Sequence, residues 1–293
     1  MHKIVTHPGS AHKDDFLSVC VLLSILGQVE VFRREASSED LADPQTYVID
    51  VGMEYAPERL NFDHHHDPGL PCAFHLLMQH LGHHESATQM FEWYPYMSMM
   101  DVRGPHRTAE HLGIDTSVLY ASSSPIDGYI LARFSALSHL NCDPVLYELM
   151  KELGSDLITM MKQKSLRLDR LKEEGRIVPL KQYKAILSTI GENPKLAMDR
   201  YLTYLNDENI VMSITPSGRG AGWELLRLGD NRMVDFRALE GNPAVRFIHA
   251  NGFVAKTCTL IPQDAVIELA ARAIIEDVQN HAATVKSTVS EGS

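Results

Sequence analysis

Aspartate and histidine are concentrated in three short stretches of this chain: Thr6-His7-Pro8-Gly9-Ser10-Ala11-His12-Lys13-Asp14-Asp15, Val48-Ile49-Asp50-Val51-Gly52 and Asp63-His64-His65. Carboxylates repel one another, so a fold that gathers several in one pocket raises the pKa of some of them unless cations neutralise the set. Two divalent ions would neutralise it and also supply a reaction mechanism. A metal-dependent active site is therefore expected where the three stretches converge.

With 293 residues the chain has room for two ordinary domains or one large one, and its 44% hydrophobic content supplies real cores. The longest apolar runs, such as Phe16 to Leu26, are broken by polar residues and fall short of the roughly 20 residues that a membrane-spanning helix needs. His7, Asp14 and Asp15 occur where a secretory signal or transit peptide would be apolar or basic, so a cytoplasmic location without membrane association is expected. Cys20, Cys72, Cys142 and Cys258 lack the paired spacing of a zinc knuckle or redox motif and read as reduced, buried thiols. A net charge of −11 argues against sequence-blind adhesion to a nucleic-acid backbone. It still permits a nucleic-acid substrate in a local basic groove.

Lys3 to Thr6 reads as a short buried strand and Asp14 to Leu26 as the helix after it. Val29 to Phe32 and Thr46 to Val51 are β-branched runs spaced as in an α/β unit, the second closing at Asp50. Ligands of open α/β sheets bind beyond the carboxyl ends of the strands, and this reading puts His7 and Asp50 there. Cys72 to about His139 is largely helical in pattern, with Asp101 at the end of a helix from roughly Glu85 to Met100. Asp143-Pro144 opens a long charged helix to about Glu174, with Asp143 as N-cap and Gly175 as C-cap. Beyond it the pattern gives strands at Tyr183 to Ser188, Asn209 to Pro216, Gly222 to Leu228, Met233 to Arg237 and Val245 to His249. Helices are expected near Pro194 to Asn206 and from Pro262 to about Asn280, with a polar tail after His281. The expected architecture is α/β: a parallel-sheet N-terminal domain (1–142), a connector helix (143–175) and a smaller α/β C-terminal domain (176–293).

Imidazole binds Zn, Mn, Fe or Co, while carboxylate oxygen suits Mn and Mg, so a mixed His/Asp set favours Mn2+ over a closed structural zinc site. Mg2+ and Co2+ are the alternatives. Each stretch alone has an ordinary explanation: Asp63 to His66 as a solvated turn, Asp14-Asp15 as a helix cap, Asp50 as a turn residue. Their joint occurrence changes the balance.

The ordered set His-x4-His-x-Asp-Asp, strand-Asp-Val-Gly, Asp-His-His and a later Asp resembles the four motifs of the DHH phosphoesterase superfamily. Thr6 to Asp15, Val48 to His65 and Phe247-Ile248-His249-Ala250-Asn251-Gly252-Phe253 resemble, more narrowly, the branch of the melanocyte proliferating gene product, a metal-dependent 3′-to-5′ RNA exonuclease. The resemblance implies a two-domain DHH phosphoesterase-like fold and two metal ions. It implies His7 or His12 together with Asp14 as ligands of the first motif, Asp50 between the metals, and His64 and Asp101 as further ligands. Asp15 or His12 fills the middle position of the first motif. His65 becomes a contact to the substrate phosphate and Asp63 the group that orients the histidines, so that His65, Asp63 and Asp15 form the catalytic set around the ligands. The chain departs from the branch at Met53, His66 and Val102-Arg103; Arg103 and His66 would alter the surroundings of the scissile phosphate, and Arg103 joins His65 as a candidate contact to its non-bridging oxygens.

His249, Asn251 and Lys256 match the branch's C-terminal motif and are candidate substrate contacts; Arg219 joins them from Ser217-Gly218-Arg219-Gly220-Ala221-Gly222, either a phosphate-approaching loop or a plain turn. Trp93, Tyr94 and Tyr96 either fill a core or stack on a base. The function expected is phosphodiester hydrolysis, a 3′–5′ exonuclease acting on single-stranded RNA or short oligonucleotides and releasing mononucleotides. The alternatives are hydrolysis of a small phosphorylated molecule (cyclic dinucleotide, nucleoside phosphate, pyrophosphate or polyphosphate) and a non-catalytic metal or nucleotide sensor. A homo-oligomer is compatible with any of these.

Overall fold

The computed structural model describes residues 2–121, 124–190 and 197–275. The chain divides into two compact units, Met1–Gln163 and Lys164–Ser293, and one long helix, Pro144–Glu174, runs across the division.

In the first unit, β1 (Lys3–Thr6), β2 (Glu30–Arg33), β3 (Thr46–Ile49), β4 (Tyr55–Ala56) and β5 (Asn61–Phe62) form one sheet in the order β2-β1-β3-β5-β4. The first four strands of that order are parallel, and β4 pairs antiparallel with β5 at the edge, so the sheet is mixed rather than wholly parallel. Helix α1 (Lys13–Leu26) has Phe16, Val19, Cys20, Val21, Leu22 and Leu23 buried. A helix apolar around most of its circumference belongs inside, and α1 packs against α3 (Ala73–His80), α5 (Trp93–Leu112) and α7 (Pro125–Ser135). Helices α2 (Ser38–Ala42), α4 (His84–Met90), α6 (Thr116–Ala121) and the start of α8 (Pro144–Glu174) complete the unit.

Strand β2 lies at the sheet edge, where unpaired backbone groups invite pairing with another chain. This edge is covered from within. Val29 N–H donates to the Tyr147 hydroxyl at 3.0 Å, Val31 N–H to Asn141 Oδ1 at 3.0 Å and Arg33 N–H to Ser138 O at 2.9 Å, while Asn141 Nδ2 donates back to Val29 O at 2.9 Å.

In the second unit, β6 (Arg176–Leu180), β7 (Tyr183–Leu187), β8 (Ile210–Pro216), β9 (Trp223–Arg227), β10 (Val245–Ile248) and β11 (Val254–Thr257) form a sheet in the order β10-β11-β9-β8-β7-β6. Among the described residues of this sheet only β7 and β8 pair in parallel, with α9 (Met198–Leu205) between them in sequence. Helix α10 (Gln263–Arg272) buries Val266, Leu269 and Ala270 in the core that contains Met212, Ile214, Leu225 and Phe236.

Several sequence expectations change. The strand expected over Thr46 to Val51 stops at Ile49, and Asp50 has the left-handed φ of 57°. The helix expected over Glu85 to Met100 is two helices: Pro95 has no N–H for the Phe91 carbonyl, so α4 ends at Met90 and α5 restarts at Trp93. Helix α5 then passes Asp101 and bends at Gly104 (φ 76°, ψ 169°), where Pro105 removes another helical donor. Met233 to Arg237 is not a strand; Asp235 caps a 3-10 turn, Phe236–Leu239, by accepting from Arg237 N–H at 2.9 Å. Of the cysteines, Cys20 and Cys72 are buried but Cys142 and Cys258 are exposed, and all four are free. The start of the expected helix at Pro194, the end of the last helix towards Asn280 and the tail after His281 lie outside the described residues. Among the described residues no helix is long and apolar enough to cross a membrane.

Asn141→Ala leaves Val31 N–H on the covered edge without its partner and Val29 O with the Tyr147 hydroxyl alone. The variant should lose about 1–2 kcal/mol in chemical denaturation with the fold retained. An unchanged midpoint would show that water replaces the side chain without cost.

Candidate metal centre

Because β2, β1, β3 and β5 run in parallel, their carboxyl ends share one edge of the sheet. Arg33 closes β2, His7 follows β1, Asp50 follows β3, and Asp63-His64 follow β5. The N-terminal turn of α1 adds Asp14 and Asp15, where the helix dipole favours negative charge. Helix α5 supplies Asp101; one turn earlier, buried Ser98 accepts a hydrogen bond from Cys72 N–H at 3.0 Å and ties α5 to the entry of α3.

His64 Nε2 lies 3.2 Å from Asp50 Oδ1 and 3.1 Å from Asp101 Oδ2. His7 Nε2 lies 3.4 Å from Asp50 Oδ2 and 3.5 Å from Asp15 Oδ2, and its Nδ1 is 2.8 Å from Pro8 O. A carbonyl only accepts, so His7 donates from Nδ1 and turns Nε2 to the carboxylates. His12 Nδ1 is 3.6 Å from Asp101 Oδ1. Three sets of side chains place their donor atoms within 4.8 Å of one another: His7, His12 and Asp50; Asp50, His64 and His65; and His12, Asp14 and Asp101. Asp50 belongs to two sets and His12 to two.

The buried donor atoms show whether cations fit. His7 Nε2, both oxygens of Asp14, Asp15 Oδ2, Asp50 Oδ1 and His64 Nε2 are all buried with no hydrogen-bond partner. Orphaned atoms of this kind are rare in native proteins, and these are the atom types that bind divalent cations. The donor set fits a divalent metal centre.

The charge state of the metal-free cluster follows from its crowding. Burial, reinforced by Asp50, Asp101 and Asp15, pushes the Asp14 carboxyl well above its usual range. Burial raises Asp15 to about 7 against the opposing pull of Arg33. Burial by itself would lower His64, but Asp101 and Asp50 raise it to about 10.

Two residues hold the edges of the cluster. Asp15 Oδ1 accepts from His12 N–H at 2.7 Å, capping α1, while Oδ2 faces His7 and, at 3.6 Å, Arg33 Nη2. Arg33, buried over the Phe134 ring, also donates to Gly9 O at 3.0 Å and Phe134 O at 3.2 Å, pinning the first-motif loop. Asp63 accepts from Met53 N–H at 2.6 Å and from His65 N–H at 3.0 Å, and its Oδ1 lies 2.7 Å from His65 Nδ1. Burial would raise the Asp63 pKa, yet the contacts from His65 and Met53 hold it below the ordinary carboxylate range. The turn that presents Met53 N–H has left-handed φ at Asp50, Gly52 (98°) and Met53 (55°). Met53 occupies a conformation that glycine adopts with less strain.

The structure thus brings His7, His12, Asp14, Asp15, Asp50, Asp63, His64, His65 and Asp101 to one place. His66 is exposed beside them, and Arg103 lies two residues beyond Asp101. Arg219, His249, Asn251 and Lys256 belong to the second unit. Lys256 pairs with Glu224 at 2.9 Å, and desolvation together with Arg219 and Arg246 lowers its pKa. Arg246 donates to Arg219 O at 2.8 Å; His249 accepts from Asn251 N–H at 3.1 Å and packs on Phe253. Tyr94 is core, stacked 3.8 Å from His75, whereas Trp93 and Tyr96 are exposed. Arg33 and Arg246 were missed: each is a lone cation on a short strand, and only strand pairing reveals its neighbours.

The profile of a family described as "Uncharacterised protein family (UPF0160)", MYG1_exonuc, matches residues 3–71, less than a quarter of the 293-residue chain. The match holds every site residue up to His65. No curated protein matches the sequence significantly. Among solved structures, an exopolyphosphatase-related protein from Bacteroides fragilis is 10% identical, with 93% of this chain and 91% of that one covered and a TM-score of 0.27. RecJ from Thermus thermophilus in complex with Mn2+ is 13% identical at a TM-score of 0.31, with 92% of this chain covered; the chain spans about half of RecJ (51%). An uncharacterised protein from Helicobacter pylori G27 is 12% identical, with 92% and 99% coverage and a TM-score of 0.25. Likeness at this level identifies no activity.

Metal ligation needs Asp14 ionised and His64 neutral, whereas burial and the crowded charges of the cluster favour the protonated form of both, that of His64 up to about pH 10. Mn2+ binding at pH 7 should therefore release roughly one proton or more per chain, and affinity should fall as the pH drops below about 10. Calorimetry in buffers of different ionisation enthalpy reads this directly. Heats independent of the buffer would contradict it.

Proposed function

We propose that the first unit is the catalytic part of a metal-dependent phosphodiester hydrolase, a 3′–5′ exonuclease on single-stranded RNA or short oligonucleotides. The observation that carries the hydrolase reading is the set of buried donor atoms without hydrogen-bond partners on His7, Asp50 and His64, at the carboxyl ends of parallel strands, and on Asp14, in the first turn of α1. Support for the exonuclease reading comes from the ordered motifs and from the family profile over residues 3–71. Residence in the cytoplasm belongs to the same reading.

In this reading His7, His12, Asp14, Asp50, His64 and Asp101 hold two divalent ions, Mn2+ by preference, with Asp50 common to both. The ions, when bound, would activate a water and stabilise charge on the attacking and leaving oxygens of an in-line displacement. The division of labour among the remaining residues follows from their contacts. Asp63, kept ionised, holds His65 through Nδ1, which leaves the other ring nitrogen of a half-exposed imidazole for a non-bridging phosphate oxygen. Asp15 supports rather than ligates: one oxygen caps α1, the other faces Arg33 and His7, and His12 takes the middle first-motif position. Asp14 and Asp101, on separate helices, fix α1 and α5 to the same centre. In the second unit, Arg219, His249, Asn251 and Lys256 would contact the rest of the substrate.

Asp50→Asn keeps a residue type that tolerates left-handed φ and removes the shared carboxylate, so turnover should fall about 100-fold or more with an unchanged circular dichroism spectrum. The assay is product analysis of end-labelled single-stranded RNA with Mn-loaded protein. A ladder shortening from the 3′ end, lost in the variant, fits the exonuclease reading. Intact RNA with cleavage of polyphosphate or a cyclic dinucleotide would move the substrate to a small phosphorylated molecule, and equal turnover by the variant would overturn the site.

A further inference from the structure

We propose that a groove beside the metal centre, lined by Pro68, Val102, Arg103, Arg107, Glu110 and His111, binds a second phosphate of the substrate, one beyond the phosphate that is cleaved. The inference rests on the hydrolase reading above and narrows its substrate class to molecules carrying consecutive phosphates. The groove has a volume of about 480 Å³. One wall follows His64 and His65 in the chain and reaches Pro68; the other begins at Val102, the residue after Asp101. Both segments that carry ligand candidates therefore run directly into it.

The bend in α5 shapes this wall. Gly104 breaks the helix between Asp101 and Arg107, and Thr108 Oγ1 closes the bend by donating to Gly104 O at 2.9 Å. Arg103, before the bend, and Arg107 and His111, after it, consequently face one groove. Among the described residues neither Arg103 nor Arg107 has a hydrogen bond or ion pair, although acidic residues outnumber Lys and Arg by 38 to 27 in the chain. Two exposed guanidinium groups bordering one groove repel each other unless an anion lies between them. Guanidinium matches phosphate through two parallel hydrogen bonds. Glu110, the acidic member of the lining, leaves the groove net positive and would disfavour an anion at its own end.

An oligonucleotide and an inorganic polyphosphate both present consecutive phosphates, and the test separates them. Binding to the Mn-loaded full chain is measured by calorimetry with a slowly cleaved phosphorothioate-linked dinucleotide, with and without a terminal phosphate, and with inorganic tripolyphosphate. The terminal phosphate should tighten binding about tenfold or more, an advantage weakened by added salt. Arg107→Gln should abolish that advantage without changing affinity for the dinucleotide lacking it, and Arg107→Lys should restore part of it. Tripolyphosphate binding tighter than either dinucleotide, with the same dependence on Arg107, would assign the groove to an inorganic chain; the reverse order would assign it to nucleic acid. Equal affinity for the two dinucleotides, an Arg107→Gln variant that keeps the preference, or no binding of any probe would overturn the proposal. Release of nitrophenolate from bis(p-nitrophenyl) phosphate, which has a single phosphate, tests the hydrolase reading separately.

Discussion

Mutual repulsion among buried carboxylates is the constraint on which the first unit depends. Asp14, Asp15 and Asp50 are almost entirely buried, Asp101 is close behind, and the four lie among four histidines and one arginine. Such a cluster is unfavourable in an empty protein. Protons on Asp14, Asp15 and His64 relieve part of the repulsion, and divalent cations would relieve more while giving the orphaned lone pairs their partners. The fold accepts this cost because its elements meet there: three parallel strands, the start of α1 and the middle of α5 each contribute one or two of the groups.

The surrounding structure fixes those groups by means other than charge. Arg33 reaches from the end of β2 to the Gly9 carbonyl and to Asp15, so the loop after β1 and the cap of α1 are positioned together. The left-handed turn at Asp50, Gly52 and Met53 delivers a backbone N–H to Asp63, and Asp63 in turn sets the ring of His65. Ser98 and the buried Tyr94 anchor α5 so that Asp101 meets His64. Beyond Asp101 the same helix bends, and its charge changes from acidic to basic where the groove begins.

How much of this was legible in the sequence depends on the kind of signal. Strands β1 to β3 and the helix between the first two announced themselves through short β-branched runs and helical spacing, and the Asp and His motifs marked the ligand candidates residue by residue. Strands β4 and β5 have two residues each and carry no period to read. The joint between α4 and α5 was signalled by Pro95, and the bend by Gly104-Pro105, but the run of apolar residues through Met97 and Met100 masked the first. Arg33 is an ordinary strand-end arginine until parallel pairing places it beside Asp15. Of the substrate candidates in the second unit, Arg219 and Lys256 lie at the β8–β9 end of the sheet, where Arg246 joins them, whereas His249 and Asn251 lie in the β10–β11 turn at the opposite end.

The centre itself is tested most directly by electron paramagnetic resonance of the chain titrated with Mn2+. If the two donor sets that share Asp50 each hold an ion, the chain should give an exchange-coupled spectrum once two equivalents have bound. A chain that binds a single isolated Mn2+, or none, would contradict the account.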